Sequence, residues 1–160
     1  MKRNPILLIL YIILSLGIMV LIFSLSGDNG SESSALSDWV KGRLYGALNT
    51  IFPDLFVSFI TTNIRKIAHF TIYLCLGITT SLSLTECYLI RHPDSVIPVF
   101  AFGIPWNICI LYAITDEIHQ RFVPGRCGCI KDVLIDALGA LVGCTVIYFF
   151  TLLFQKKGNT

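Results

Sequence analysis

Charged side chains are scarce in this sequence. Only 14% of its residues are Asp, Glu, Lys or Arg, which is about half the share that soluble domains carry, whereas 54% are hydrophobic. The mean hydropathy of +0.74 excludes an ordinary soluble domain. The net charge of +2 is small and dispersed, so no nucleic-acid partner is expected. The sequence also lacks internal repeats and low-complexity tracts.

The sequence contains four long apolar runs. A helix needs about 20 largely apolar residues to span hydrocarbon, because its backbone polar groups must be satisfied within the segment. The runs cover residues 6–23, 64–84, 96–118 and 133–154. They predict an all-α integral membrane bundle of four transmembrane helices, forming a single domain over residues 1–160. Pro105 predicts a bend in the third span, because proline removes a backbone donor.

The first apolar run could also be read as a signal peptide. It is longer than the roughly 7 to 15 residues usual there, and no small-x-small cleavage site follows, which favours an uncleaved span. Four spans bring both termini to one side, where Lys2, Arg3, Lys156 and Lys157 have no acids beside them. The number of Lys and Arg residues in the loops indicates the orientation less clearly, because acidic residues are mixed with them. We expect a multi-pass protein of the cell membrane with both termini cytoplasmic.

The longest segment between spans covers residues 25–63 and is expected on the extracytoplasmic side. It opens as a loop rich in serine and glycine. From Ala35 to Phe52, apolar side chains recur at helical spacing and predict one amphipathic helix, which Pro53 ends. This helix could lie on the membrane surface or pack over the bundle as a lid.

Ionisable residues gather at one end of three spans. Charged groups at membrane depth are costly, so those that persist usually pair, line a wet cavity or take part in chemistry. Gly139 and Gly143 continue the stripe of the fourth-span acids, and such small residues allow close helix approach, so these acids should point into the bundle. We expect one site on the outer face. It comprises Arg65, Lys66, His69 and Tyr73 in the second span, Asp116, Glu117, His119 and Gln120 in the third, Asp132 and Asp136 in the fourth, and Arg126 in the loop.

Three motifs carry a family resemblance. They are Arg65-Lys66-x-x-His69-Phe70-x-x-Tyr73, then Tyr112-Ala113-x-x-Asp116-Glu117-x-His119-Gln120-x-Phe122-x-Pro124-Gly125-Arg126, and finally Asp132-Val133-x-x-Asp136-x-x-Gly139. With the serine-rich loop that begins at Phe23, they resemble the VanZ-like family of bacterial membrane proteins over most of the chain. The resemblance implies an association with lowered susceptibility to glycopeptide antibiotics of the teicoplanin type.

Binding is the first mechanism that the polar residues allow. Arg65, Lys66 and Arg126 would hold the anionic headgroup of a membrane lipid or of a lipid-linked cell-wall precursor, because arginine offers a bidentate fork to such groups. An acyl-bearing glycopeptide antibiotic is a further candidate partner. The rest of the expected substrate-binding set is Tyr73, Gln120, Asp132 and Asp136.

Catalysis is the second mechanism. His69, Asp116, Glu117 and His119 include ligand types for a divalent metal and could serve a hydrolase or transferase acting on a lipid headgroup. Against this, the sequence has no His-Glu-x-x-His motif, and no Ser or Cys sits beside a His as an obvious nucleophile. A purely structural polar network is the third alternative. The sequence leaves open whether the protein is an enzyme and whether it holds a metal or another cofactor.

The pair Cys127 and Cys129 lies in the loop between the third and fourth spans and is not part of the family pattern. A disulfide or a metal pair is conceivable there. Residues two apart make a strained bridge, however, and a zinc site would need further ligands.

Overall fold

The computed structural model describes residues 5–92 and 98–158, with side chains up to residue 153. Helices account for nearly all of these residues, and no strand occurs among them, which confirms the all-α prediction. The helices are α1 (Pro5–Gly27), α2 (Gly30–Leu48), α3 (Asp54–Thr62), α4 (Ile64–Arg91), α5 (Ile104–Gln120) and α6 (Ile130–Gly158), with a π-helical turn at Val99–Gly103 directly before α5.

Four helical segments are long and apolar enough to cross a membrane, as predicted. They are Pro5–Gly27, Ile64–Arg91, Val99–Gln120 and Ile130–Leu153. The second continues seven residues beyond its predicted end at Leu84, and the predicted start of the third at Val96 lies outside the described residues. The outward side chains of these helices are large and apolar, which suits contact with lipid.

Helix α4 lies at the centre of the bundle and packs against α1, α5 and α6. Its closest neighbour is α6, because glycines face it. A Cβ atom at Gly139 would overlap the carbonyl oxygen of Phe70, and one at Gly143 would overlap that of Leu74. The stripe of small residues therefore brings the two backbones into direct contact and turns the acids of α6 towards α4.

A π-helical turn directly precedes α5 and Pro105, the residue at which the sequence predicts a bend. The N–H of Ile104 donates to the carbonyl of Val99, five residues back, which widens the helix there. Pro105 has no N–H to offer. The carbonyl of Ala101, four residues before it, instead accepts a hydrogen bond from the Ser81 hydroxyl of α4.

The predicted amphipathic helix is present as α2, but its bounds differ. It begins at Gly30 because Asn29 caps it, accepting the Glu32 N–H at 2.9 Å, and it ends at Leu48, so the end predicted at Phe52 was wrong. None of its residues is buried, and Trp39 is 61% exposed. The apolar positions therefore do not form one covered face.

Helix α3 lies between α2 and the second span and is the more clearly amphipathic of the two. Val57 is fully buried, whereas Leu55 and Phe59 are 84% and 64% exposed. A short helix with a large exposed apolar face at the end of a membrane bundle has the composition of an interfacial helix. It lies at the end where α1 and α5 finish and where α4 and α6 begin, which we call the site end.

Candidate functional site

The second and fourth spans contribute a His–Asp pair at the site end. The Nδ1 atom of His69 on α4 lies 3.2 Å from Oδ1 of Asp136 on α6, within hydrogen-bonding distance. Asp136 is fully buried, one turn before Gly139, where α6 touches α4. The close packing of these two helices therefore holds the carboxylate against the imidazole.

Helix α5 adds three buried polar side chains to this pair. Nε2 of Gln120 donates to Oδ2 of Asp116 at 3.1 Å and to Oε1 of Glu117 at 3.3 Å, and it also lies 3.4 Å from the Ser26 hydroxyl of α1. The other oxygen of Glu117 accepts the backbone N–H of Cys129 at 2.8 Å. Glu117 thus has both carboxylate oxygens held in place.

These side chains form one polar cluster, which we define as His69, Tyr73, Asp116, Glu117, Gln120 and Asp136. One ligand-type atom each from His69, Glu117 and Asp136 lies within 4.8 Å of the other two. Consecutive residues lie about 100° apart on a helix, so Asp116 and Glu117 leave α5 in different directions. Both carboxylates nevertheless reach the cluster, because α4 and α6 flank the inner side of α5.

The polar cluster contains three buried carboxyl groups and one imidazole. In the described part of the chain, no Lys or Arg side chain forms an ion pair with any of these carboxylates. Among the described residues, three buried oxygens of the cluster have no hydrogen-bond partner: Asp116 Oδ1, Asp136 Oδ2 and the Tyr73 hydroxyl. Uncompensated buried charge costs several kcal/mol, so the cluster is set up to hold a cation or extra protons.

His119, the other candidate catalytic histidine, does not join the polar cluster. Its ring stacks on Phe23 of α1, with centroids 4.4 Å apart and planes 19° apart. Its Nδ1 atom is buried and has no partner among the described residues. The structure therefore places His119 at the contact between α5 and the end of α1.

The arginines have partners outside the polar cluster. Arg65 donates from Nε to the Ser37 hydroxyl at 3.0 Å and from Nη2 to the Ser34 hydroxyl at 2.7 Å, which ties α4 to α2. Arg126 donates to the backbone carbonyls of Leu25 at 2.6 Å and Asp28 at 3.0 Å. Its cationic group thereby satisfies carbonyls at the end of α1, where the helix dipole also favours positive charge.

The remaining expected residues lie at the edge. Lys66 is exposed, and Asp132 is half-buried in the first turn of α6, where an acid is favoured by the helix dipole. Neither contacts the polar cluster through a hydrogen bond among the described residues. The structure therefore brings six of the predicted residues together in the polar cluster and places five outside it: Arg65, Lys66, His119, Arg126 and Asp132.

The loop between α5 and α6 is held against the end of α1. Gly125 has a φ of +75°, a backbone conformation that favours glycine, and the Gly30 N–H donates to the Pro124 carbonyl at 3.0 Å. Cys127 and Cys129 both have free thiols, so they form no disulfide here. Cys129 instead acts through its backbone N–H, which orients Glu117.

A cavity of about 260 Å³ opens between α1, α2 and α4. Its walls are largely apolar, with Ile22, Leu36 and Ile72 among them. Its polar lining includes Arg65, Arg126, His69, Tyr73 and Asp116. Helix α2 contributes Ser33, Leu36, Ser37 and Val40 to its lining.

Three serines contribute contacts at the site although they were not predicted from the sequence: Ser26, Ser34 and Ser37. A sequence signal for Ser26 exists, because Ser15 and Ser26 are eleven residues apart and therefore share one face of α1, which is the face that the structure buries. The serines of α2 give no such signal. They matter only because Arg65 lies opposite them, 28 and 31 residues along the chain.

Fold and site together define a multi-pass membrane protein with a buried His/Asp/Glu cluster at one end of a four-span bundle. The sequence profile of the VanZ/LLP1 family matches residues 8–153, nearly the whole chain. The chain therefore belongs to the VanZ/LLP1 family. No curated protein and no solved structure shows a significant match to it.

Proposed function

We propose that the protein binds an anionic lipid in the cavity between α1, α2 and α4, with the headgroup at Arg65. The ligand would be a membrane phospholipid or a lipid-linked cell-wall precursor. The observation that carries this proposal is the position of Arg65, a full positive charge on the lining of a cavity with apolar walls. Apolar walls suit acyl chains, and a guanidinium suits phosphate or carboxylate oxygens.

The partners of Arg65 favour a role in binding an anion. Its bonds go to two neutral serine hydroxyls, and among the described residues no carboxylate lies within ion-pair distance of it. The serines fix the orientation of the guanidinium without neutralising it. A phosphate entering the cavity would therefore meet an oriented and uncompensated positive charge. Lys66, exposed beside it on α4, would add a second.

Lowered susceptibility to glycopeptides of the teicoplanin type is the cellular effect that we propose for this binding. A protein that sequesters a lipid-linked cell-wall precursor, or the acyl chain of the antibiotic itself, would reduce the concentration of the complex that blocks wall synthesis. Membership of the VanZ/LLP1 family supports this proposal.

Replacing Arg65 with alanine should weaken binding of phosphatidylglycerol about 10-fold or more, because hydrogen bonds to a charged group contribute about 1.5 to 3 kcal/mol each. Native mass spectrometry of the purified protein with phosphatidylglycerol and phosphatidylcholine measures this change. In cells, Arg65→Ala should abolish any protection against teicoplanin at unchanged protein levels.

The matched control for this experiment is Arg43→Ala. Arg43 is an exposed arginine of α2 whose guanidinium lies 5.5 Å from the centre of the Trp39 ring, and it does not line the cavity. Its loss should leave lipid binding unchanged. Equal phosphatidylglycerol binding by wild type, Arg43→Ala and Arg65→Ala would refute the proposal.

We further propose that the site end faces the outside of the cell membrane and that both termini are cytoplasmic. The native cysteines provide a probe. Cys127 is exposed in the loop at the site end, and Cys87 is half-buried near the opposite end of α4. A membrane-impermeant maleimide should label Cys127 in intact cells, and the signal should vanish in Cys127→Ser. Labelling of Cys127 only after lysis would reverse the proposed orientation.

Metal-assisted hydrolysis or transfer at a lipid headgroup is the second candidate function. The proximity of His69, Glu117 and Asp136 favours it, since catalytic metal sites commonly offer a few protein ligands and an open position. The polar cluster adjoins the cavity through His69 and Asp116, where a headgroup would lie. Release of headgroup by the purified protein in the presence of a divalent metal, measured by phosphate or alcohol analysis, decides between binding alone and catalysis.

A further inference from the structure

We propose that His69, Glu117 and Asp136 form a binding site for one first-row divalent metal ion, such as Zn²⁺ or Mn²⁺. Each residue comes from a different membrane span, α4, α5 and α6 respectively. The ion would therefore join three helices at the site end. This inference goes beyond lipid binding and does not depend on it.

The distances are close to those of a metal site. The ligand atoms of the three residues lie within 4.8 Å of one another. Oxygen and nitrogen ligands bind zinc tetrahedrally at about 2.0 to 2.2 Å, so two of them on one ion are about 3.3 to 3.6 Å apart. Side chains at the 4.8 Å limit would have to close by about 1.2 Å to seat an ion, which is within the reach of side-chain rotation. The pair His69 and Asp136, at 3.2 Å, is already close enough.

Unpartnered buried oxygens are an independent observation that points to a ligand. Tyr73 and Asp136 are fully buried, and Asp116 is 3% exposed. In residues 5–92 and 98–153, the Tyr73 hydroxyl, Asp136 Oδ2 and Asp116 Oδ1 have no hydrogen-bond partner. Buried polar atoms are nearly always paired in folded proteins. A divalent ion and the water or headgroup oxygen that it carries would supply the partners that these oxygens lack.

The charge of the polar cluster matches a divalent cation. Asp116, Glu117 and Asp136 carry up to three negative charges against at most one positive charge on His69. No basic side chain in the described part of the chain forms an ion pair with them. A dication would neutralise most of this charge, whereas leaving it uncompensated within a membrane bundle is costly.

Contacts around the three ligands resemble the outer shell of a metal site. Gln120 holds Oε1 of Glu117, and the Cys129 N–H holds Oε2, so this carboxylate is oriented before an ion arrives. Such second contacts fix ligand geometry in known metal sites. One imidazole with two carboxylates and no thiolate favours Zn²⁺ or Mn²⁺ over Cu⁺. His69 also lines the cavity, so an open coordination position can face a bound headgroup.

The test uses the full chain in detergent, purified with a tag that contains no histidine and stripped with a chelator. Zn²⁺ is then added, with Mn²⁺ in a parallel series, and binding is followed by competition with a chromophoric chelator and by elemental analysis. Wild type should take up one ion per chain. Asp136→Asn and Glu117→Gln should each weaken binding on the order of 100-fold, since even the loss of an outer-shell contact costs about 10-fold to 100-fold.

Asp132→Asn is the matched control, because Asp132 is an acid of α6 one turn from Asp136 and outside the polar cluster. It should bind the metal like wild type. Zn²⁺ should also raise the thermal midpoint of wild type but not of Asp136→Asn, which tests the site even if the variant is less stable. Failure of wild type to bind, or unchanged binding by Asp136→Asn, would overturn the proposal in favour of protonated carboxyls. Arg65→Ala should still bind the metal but should lose lipid binding. The metal proposal and the lipid proposal can therefore be refuted independently of each other.

Discussion

Replacing Gly143 with leucine should strongly destabilise the bundle. Gly143 lies where α6 meets α4, and a Cβ atom there would overlap the carbonyl oxygen of Leu74 and come within 2.9 Å of the Ile78 nitrogen. Backbone atoms cannot rotate away as a flexible side chain can, so the helices must separate. We expect a loss of about 3 kcal/mol or more, with Asp136 drawn away from His69 as α6 moves.

Gly17→Leu is the control for that substitution. Gly17 lies within α1, and nothing comes within 4 Å of a Cβ atom placed on it. The added side chain would face lipid and should leave the protein as stable as wild type. Thermal unfolding in detergent and the monodisperse fraction on gel filtration measure both variants. A Gly143→Leu protein with the unfolding midpoint of Gly17→Leu would contradict the packing of α4 against α6.

The spans were predictable because hydropathy and length are properties of the sequence itself. The turn before Pro105 was only partly predictable. A proline indicates that a backbone donor is missing, but the sequence does not show that the carbonyl of Ala101 accepts a hydrogen bond from Ser81 of another span. The end of α2 was predicted too far along the chain. The apolar spacing continues through Ile51, whereas α2 ends at Leu48 and residues 49–51 form turns.

The composition of the site was predictable because charged residues are so unusual in apolar spans. Their spacing also put Asp116 and Gln120 on one face of α5, and Gln120 does bond to Asp116. The positions that could not be predicted depend on contacts between spans. His119 shares that face, yet its ring stacks on Phe23 of α1. No sequence pattern within α5 distinguishes the residue that reaches the polar cluster from the one that reaches α1.

The roles of Arg65 and Arg126 also depend on contacts with other segments and could not be predicted from the sequence. Both were expected to face an anionic headgroup, and both do line the cavity. Only Arg65 keeps its charge available there, because its partners are hydroxyl groups. Arg126 is engaged by the carbonyls of Leu25 and Asp28, about one hundred residues earlier in the chain. Its contribution to binding is therefore expected to be through positioning of the loop between α5 and α6.

Cross-linking between α4 and α6 tests the central claim, which is that ionisable residues of separate spans meet in one buried cluster. Cysteines are placed at His69 and Asp136, whose side chains lie 3.2 Å apart in the structure. The control protein combines His69→Cys with Thr151→Cys, a position 15 residues further along α6 than Asp136 and so about 22 Å away from it. In both proteins the accessible native cysteines are first replaced by serine: Cys75, Cys87, Cys127 and Cys129.

Treatment of the membranes with a short thiol-to-thiol cross-linker such as dibromobimane, followed by mass spectrometry of the linked peptides, gives the yield for each pair. The structure predicts a cross-link between positions 69 and 136 in most molecules and none between positions 69 and 151. Recovery of free thiols at 69 and 136, or equal yields from the two pairs, would contradict the convergence of these spans.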